Sequence, residues 1–209
     1  MAVLSTQNLS VIKRDRLLFD QVNLSVDSGS LLYVKGPNGA GKTSLLRVLT
    51  GLVEPESGIV FYQDKKIQKC GEDYATNLVY FGHKLGVSGS LSAVENLQYW
   101  CDSHQVKVDT NTIYQTLEKL NLVGLEDIPV ASLSAGQQRR TALARLWLKA
   151  DAKLWILDEP FTALDVQGIN VLSDKLIDYL SKGGAVIITS HQLLELDYPT
   201  QELTLEYRI

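Results

Sequence analysis

The stretch Gly36-Pro37-Asn38-Gly39-Ala40-Gly41-Lys42-Thr43 constrains this chain more than any other. An apolar run, Leu31-Leu32-Tyr33-Val34, leads into it, and Ser44-Leu45-Leu46-Arg47-Val48-Leu49 leaves it. The order is strand, glycine-rich turn, helix, which is the context that separates a phosphate-binding loop from an ordinary glycine-rich turn. Glycines let successive backbone N–H groups turn inward around phosphate oxygens, and the helix behind adds the positive end of its dipole. The spacing places Lys42 to reach the β- and γ-phosphates of a nucleotide and the Thr43 hydroxyl to hold a magnesium ion. Ser44 opens the helix behind them.

The rest of the composition bounds what such a loop can serve. At 209 residues the chain reads as one domain with room for a sizeable core. No run of eighteen apolar residues is present, and Met1-Ala2-Val3-Leu4-Ser5 has neither the basic region nor the long apolar core of a signal peptide. A net charge of −4 argues against a nucleic acid as the main partner. Cys70 and Cys101 share no metal or haem-attachment spacing and read as free thiols.

Along the chain, short strands are expected over Val3–Ile12, Leu17–Phe19, Val22–Val26 and Leu31–Val34, then a helix from Lys42 to about Leu52. Strands follow at Ile59–Tyr62 and Leu78–Phe81. Residues of about 85–150 turn helical: Ser92-Ala93-Val94-Glu95 reads as a capping box, Thr110–Leu120 is amphipathic, and a third helix runs from Ser134 to Trp147. Leu154-Trp155-Ile156-Leu157 then reads as a buried parallel strand ending in Asp158-Glu159, followed by a helix over Asp165–Leu180 and a second buried strand, Ala185–Thr189. Pro199–Ile209 alternates weakly, as a terminal strand would. The fold class is α/β, with N-terminal antiparallel strands and a helical subdomain inserted in the core.

Asp158 and Glu159 suit two roles in metal-assisted hydrolysis. Asp158 at the strand end can hold magnesium through water, and Glu159 can orient and polarise the attacking water. An Asp-Glu after a strand is also a common helix N-terminal signal; its place downstream of a phosphate loop favours the chemical role. Leu133-Ser134-Ala135-Gly136-Gln137 opens a helix and makes a second anion-ready terminus, although Ser134 would equally serve as a plain N-cap.

Taken together, Gly36–Thr43, Leu133–Gln137, Lys153–Glu159, Thr162-Ala163-Leu164-Asp165 and His191 resemble the ATP-binding cassette ATPase family over nearly the whole chain. The resemblance implies that Ser134, Ala135, Gly136 and Gln137 are the signature motif, Asp165 the acid of the D-loop and His191 the switch histidine. It implies ATP hydrolysis with Mg2+ in a head-to-tail homodimer, each ATP clasped by one chain's phosphate loop and the other's signature. It implies too that the helical subdomain docks a membrane partner. Aligned on Val94-Glu95-Asn96, His83 takes the place of the family's usual glutamine and would couple nucleotide state to that partner. The aromatic that usually stacks on adenine, expected near Lys13, is missing; either Lys13 or Arg14 stacks by cation–π contact, or the base is loosely held.

One branch of the family fits more tightly. Tyr80-Phe81-Gly82-His83, Glu126–Val130, Leu133–Arg140, Leu143–Leu148 and Leu154–Ala163 resemble the ATP-binding subunits of cytochrome c maturation transporters. That implies integral membrane transporter subunits as partners, on the cytoplasmic side of a bacterial inner membrane, with haem delivered by the complex and no direct haem binding here. His104 reads as a surface residue. A soluble ABC ATPase acting as an assembly scaffold is the rival reading. A GTPase is disfavoured, since no Asn-Lys-x-Asp motif is present.

Overall fold

Two sheets carry the chain, and the structure, a computed structural model, describes residues 2–190 and 196–207. The strand β1 (Ala2–Lys13) turns through Arg14 and Asp15, both at positive φ, into β2 (Arg16–Val22). A two-residue turn of that hand matches the twist of a hairpin, and Lys13 duly pairs with Arg16. The expected strand Val22–Val26 is split: Val22 ends β2, and β3 (Ser25–Asp27) begins after a gap. Thr6 bridges that gap, its hydroxyl donating to the Val22 carbonyl and accepting from the Leu24 N–H.

The chain then forms β4 (Leu31–Lys35) and α1 (Lys42–Leu49). The helix is shorter than its apolar pattern predicted. Gly51 adopts φ +76°, while its N–H donates to Val48 and that of Leu52 to Arg47, a Schellman closure that ends the helix before Leu52. β5 (Ser57–Tyr62), β6 (Lys65–Lys66), α2 (Glu72–Thr76) and β7 (Leu78–Phe81) follow. Five residues give α2 too little length to show a period, so pattern reading passed over it.

Next come α3 (Ala93–Ser103) and α4 (Thr110–Lys119). The helix predicted from Ser134 to Trp147 is two pieces, α5 (Ala135–Leu143) and α6 (Arg145–Leu148), because the Trp147 N–H turns to the Ala144 carbonyl only three residues back. β8 (Leu154–Asp158), α7 (Val166–Ser181), β9 (Ala185–Thr189) and β10 (Thr200–Thr204) complete the order.

Contacts divide the chain into two compact units: Met1–Tyr80, Ala152–Pro160 and Leu176–Ile209 in one, Phe81–Asp151 and Phe161–Lys175 in the other. The first holds the antiparallel sheet β2-β1-β5-β6, with β3 also on β1. It also holds the parallel run β10-β4-β9-β8. Every residue of β8 and β9 is buried, as near-continuous apolar runs in a parallel sheet require. Trp155 of β8 stacks on Tyr179 of α7 with ring centroids 3.5 Å apart. The second unit packs Leu97, Ile113, Leu117 and Leu122, all fully buried, into its own core. Each such leucine or isoleucine contributes roughly 1.5–3 kcal/mol relative to exposure.

The register of the parallel strands sets up the site. Val34 of β4 and Asp158 of β8 both pair with Thr189 of β9. The three strands therefore end level, and their C-terminal edge is where an open α/β sheet binds ligands.

Candidate active site

The loop between β4 and α1 leaves the sheet at that edge. A Cβ on Gly36 would run into the Leu205 carbonyl oxygen, so only glycine allows the loop to pass there. Gly41, at φ +100°, caps α1 with no side-chain hydrogen bond, which leaves the first-turn N–H groups of Lys42, Thr43 and Ser44 to an anion. Ala40 is fully buried beneath the loop, while Pro37, Asn38 and Gly39 are exposed on its crest. The Lys42 ammonium donates to the carbonyls of Gly36 at 2.6 Å and Pro37 at 3.2 Å. It is thus held across the mouth of the loop by neutral acceptors, and among the described residues no acid pairs with it.

Asp158 is only 1% exposed, yet its partners are hydroxyls. Thr43 Oγ1 donates to Oδ2 and Thr189 Oγ1 to Oδ1, each at 2.8 Å. Two neutral hydroxyl donors therefore orient both oxygens of a carboxylate that sits at the end of β8. Thr43 and Asp158 present hard oxygen donors side by side, the set that Mg2+ takes together with substrate phosphates. Glu159 follows directly, at φ +53°, its N–H shared between the carbonyl and hydroxyl oxygens of Thr189 at 3.1 and 3.0 Å. That left-handed backbone is held by the two bonds of its N–H to Thr189.

A cleft of about 550 Å³ collects these groups: Asn38, Gly39, Gly41, Lys42, Thr43, Ser44 and Glu159 line it together with Lys13, Arg14 and Arg16. Four cations and one acid line it, in a chain whose net charge is −4. The local excess of positive charge fits a polyphosphate.

In the second unit, Ser134 caps α5 and shares a full capping box with Gln137: Ser134 Oγ accepts from the Gln137 N–H at 3.3 Å, and Gln137 Oε1 accepts from the Ser134 N–H at 2.8 Å. Ala135 is the first helical residue and does not take positive φ, so its side chain costs nothing there. Gly136 is required by a close approach: a Cβ would lie 2.9 Å from the carbonyl oxygen of Ala163, itself at φ +61°. Asp165 Oδ1 accepts from the Gly168 N–H at 2.9 Å at the start of α7, and its other oxygen lies 3.8 Å from the Arg140 guanidinium. His83 is exposed in the loop after β7. His191 lies outside the described residues.

The chain was compared with known proteins. The ABC transporter family model matches residues 19–162, from Phe19 in β2 through Thr162. The chain belongs to that family. Its relatives include the cytochrome c biogenesis ATP-binding export protein CcmA of Idiomarina loihiensis, 49% identical over 99% of this chain and 94% of that protein. A solved ATP-binding subunit of an ABC transporter superposes with a TM-score of 0.87 at 22% identity, covering 99% of this chain and 88% of that one. A dimeric ATP-binding cassette bound to ADP and Pi, in a post-hydrolysis state, gives 0.82 at 19% identity, covering 99% and 97%. At those identities the two structures establish the fold alone. Family membership makes this an ATP-binding, ATP-hydrolysing cassette.

For this ABC cassette, motif reading named the loop and both acids but missed Thr189, which holds Asp158 and positions the Glu159 backbone. A threonine closing an otherwise aliphatic buried strand is the one sequence sign it leaves.

Proposed function

We propose that this chain is the ATPase subunit of a membrane complex serving cytochrome c biogenesis, acting as a homodimer at the cytoplasmic face of a bacterial inner membrane. The observation that carries the hydrolytic part is the relay Thr43–Asp158–Thr189 at the level ends of β4, β8 and β9. Lys42 and the first N–H groups of α1 neutralise and orient the triphosphate. Thr43 and Asp158 would hold Mg2+, which would supply charge neutralisation to the triphosphate. Glu159 polarises the water that attacks the γ-phosphate, and His191 is assigned beside it by the family resemblance alone. Ser134, Ala135, Gly136 and Gln137 cap the γ-phosphate held by the other chain, with Asp165 in the adjoining D-loop. This pairing follows from the family resemblance, and a dimeric cassette of the same fold is in keeping with a homodimer.

The names of the relatives support the cytochrome c assignment, and with it integral membrane transporter subunits as partners. No described helix is long and apolar enough to cross a membrane, so such partners would supply any membrane-spanning helices. His83, exposed beside the helical unit, couples ATP state to them. The helical unit offers a largely apolar pocket of about 470 Å³, lined by Leu91, Tyr99, Trp100 and His104 among others, as the docking surface. His104 lines it as a surface residue, as expected, stacked on Trp100 with Nδ1 2.8 Å from the Trp100 carbonyl oxygen; partial desolvation there lowers its pKa.

Affinity isolation from detergent-solubilised membranes tests the assignment. The chain is expected to bring down integral membrane subunits, identified by mass spectrometry, with ATP-dependent phosphate release in the isolated complex. Recovery from the soluble fraction alone, with full ATPase activity and no membrane subunit, would favour the scaffold reading.

A further inference from the structure

The nucleotide cleft has a second end. Beyond Lys42 and Thr43, where phosphates would sit, the same cleft is lined by Lys13, Arg14 and Arg16, which are left for the ribose and base to meet. Lys13 offers no planar surface. Arg14 is exposed at the tip of the β1–β2 turn. Arg16 is anchored: its guanidinium lies 3.8 Å from the centroid of the Tyr207 ring and donates to the Gly39 carbonyl at 3.4 Å.

Tyr207 comes from the far end of the chain, and the structure shows why it is there. After β10 the backbone runs beside the phosphate loop, with the Leu205 N–H donating to Lys35 at 2.9 Å and the Leu205 carbonyl packed on Gly36. Two residues on, the Tyr207 ring abuts Gly39, where an added Cβ would come within 3.2 Å. The tyrosine is 53% exposed, so its burial in the core is not what holds it in place.

We infer that Arg16, backed by Tyr207, is the platform on which the nucleotide base stacks. The inference rests on the phosphate-loop reading above and sets Arg16 beside the expected alternatives, stacking by Lys13 or Arg14 or a loosely held base. A guanidinium with one face on an aromatic ring keeps its plane fixed and can offer the opposite face to a base. Stacking of this kind reads the size of the π-face and not its hydrogen-bonding edge. The site therefore prefers purine over pyrimidine triphosphates and separates adenine from guanine weakly.

Calorimetric binding of ATP, CTP and inorganic triphosphate to the full chain tests this. Tyr207→Ala is expected to weaken ATP about five- to tenfold while leaving inorganic triphosphate within about twofold. Tyr207→Phe keeps the ring and should bind ATP as the parent does. Arg16→Lys keeps the charge and loses the plane, so it should weaken ATP and erase the preference over CTP. Unchanged ATP affinity in Tyr207→Ala, or equal losses for ATP and inorganic triphosphate, would overturn the platform while leaving the phosphate loop in place. ATP binding by Lys42→Ala equal to the parent's would instead remove the phosphate-loop reading, and this inference with it.

Discussion

Glu159→Gln is expected to keep ATP bound and to slow turnover by about 10²- to 10³-fold, within the range set by loss of a positioned general base. The substitution preserves shape and removes charge. The backbone at Glu159, at φ +53° and bonded through its N–H to Thr189, is untouched by the exchange of carboxylate for amide. An amide cannot accept a proton from water, and it polarises water far less than a carboxylate does. The ATP-bound form should then accumulate as a dimer, visible by light scattering with ATP and magnesium well above the dissociation constant. Phosphate release at the parent rate would exclude Glu159 from the reaction.

Lys42→Ala should weaken ATP on the order of a hundredfold, since charge-assisted bonds to phosphate contribute about 1.5–3 kcal/mol each. The same change strips the Gly36 and Pro37 carbonyls of their shared donor, so a modest fall in melting temperature should accompany it. Calorimetry separates the effects: the loss of ATP binding must persist at temperatures where circular dichroism shows the chain fully folded. Asp158→Asn makes a useful contrast, because it leaves Lys42 in place and should chiefly weaken the dependence on magnesium.

Much of this site was legible because its chemistry is local. The phosphate loop carries its glycines, lysine and threonine within eight residues, and Asp158-Glu159 ends an unmistakable buried strand. The capping box at Ser92 and the N-cap at Ser134 were likewise written at fixed short spacings and occur as read, with Gln137 completing a box at Ser134 that was not expected. What pattern reading missed depends on pairing between distant segments. Thr189 matters because β8 and β9 align it with Asp158, a register that no local motif encodes. Tyr207 reaches Arg16 only because β10 adds in parallel to β4 and carries the chain back along the loop. The Tyr207 ring that backs Arg16 lies far from Lys13 and Arg14 in sequence and arrives from the other end of the chain. The two helix boundaries that moved did so for backbone reasons, a Schellman closure at Gly51 and a tightened turn at Ala144, to which hydrophobic periodicity is blind.

The central claim is that two chains build each active site, and mixing two inactive variants tests it most directly. In Lys42→Ala homodimers both sites lack the phosphate lysine; in Ser134→Arg homodimers both lack the cap and carry an obstructing cation. A heterodimer of the two concentrates both lesions in one site and leaves the other intact, with Lys42 from one chain and Ser134 from its partner. Phosphate release is measured for each variant alone and for the mixture at equal total protein, with heterodimers confirmed by differential tags. Composite sites predict activity in the mixture that neither variant shows alone. A mixture as inactive as its components, with heterodimers demonstrably present, would contradict independently working sites shared between two chains.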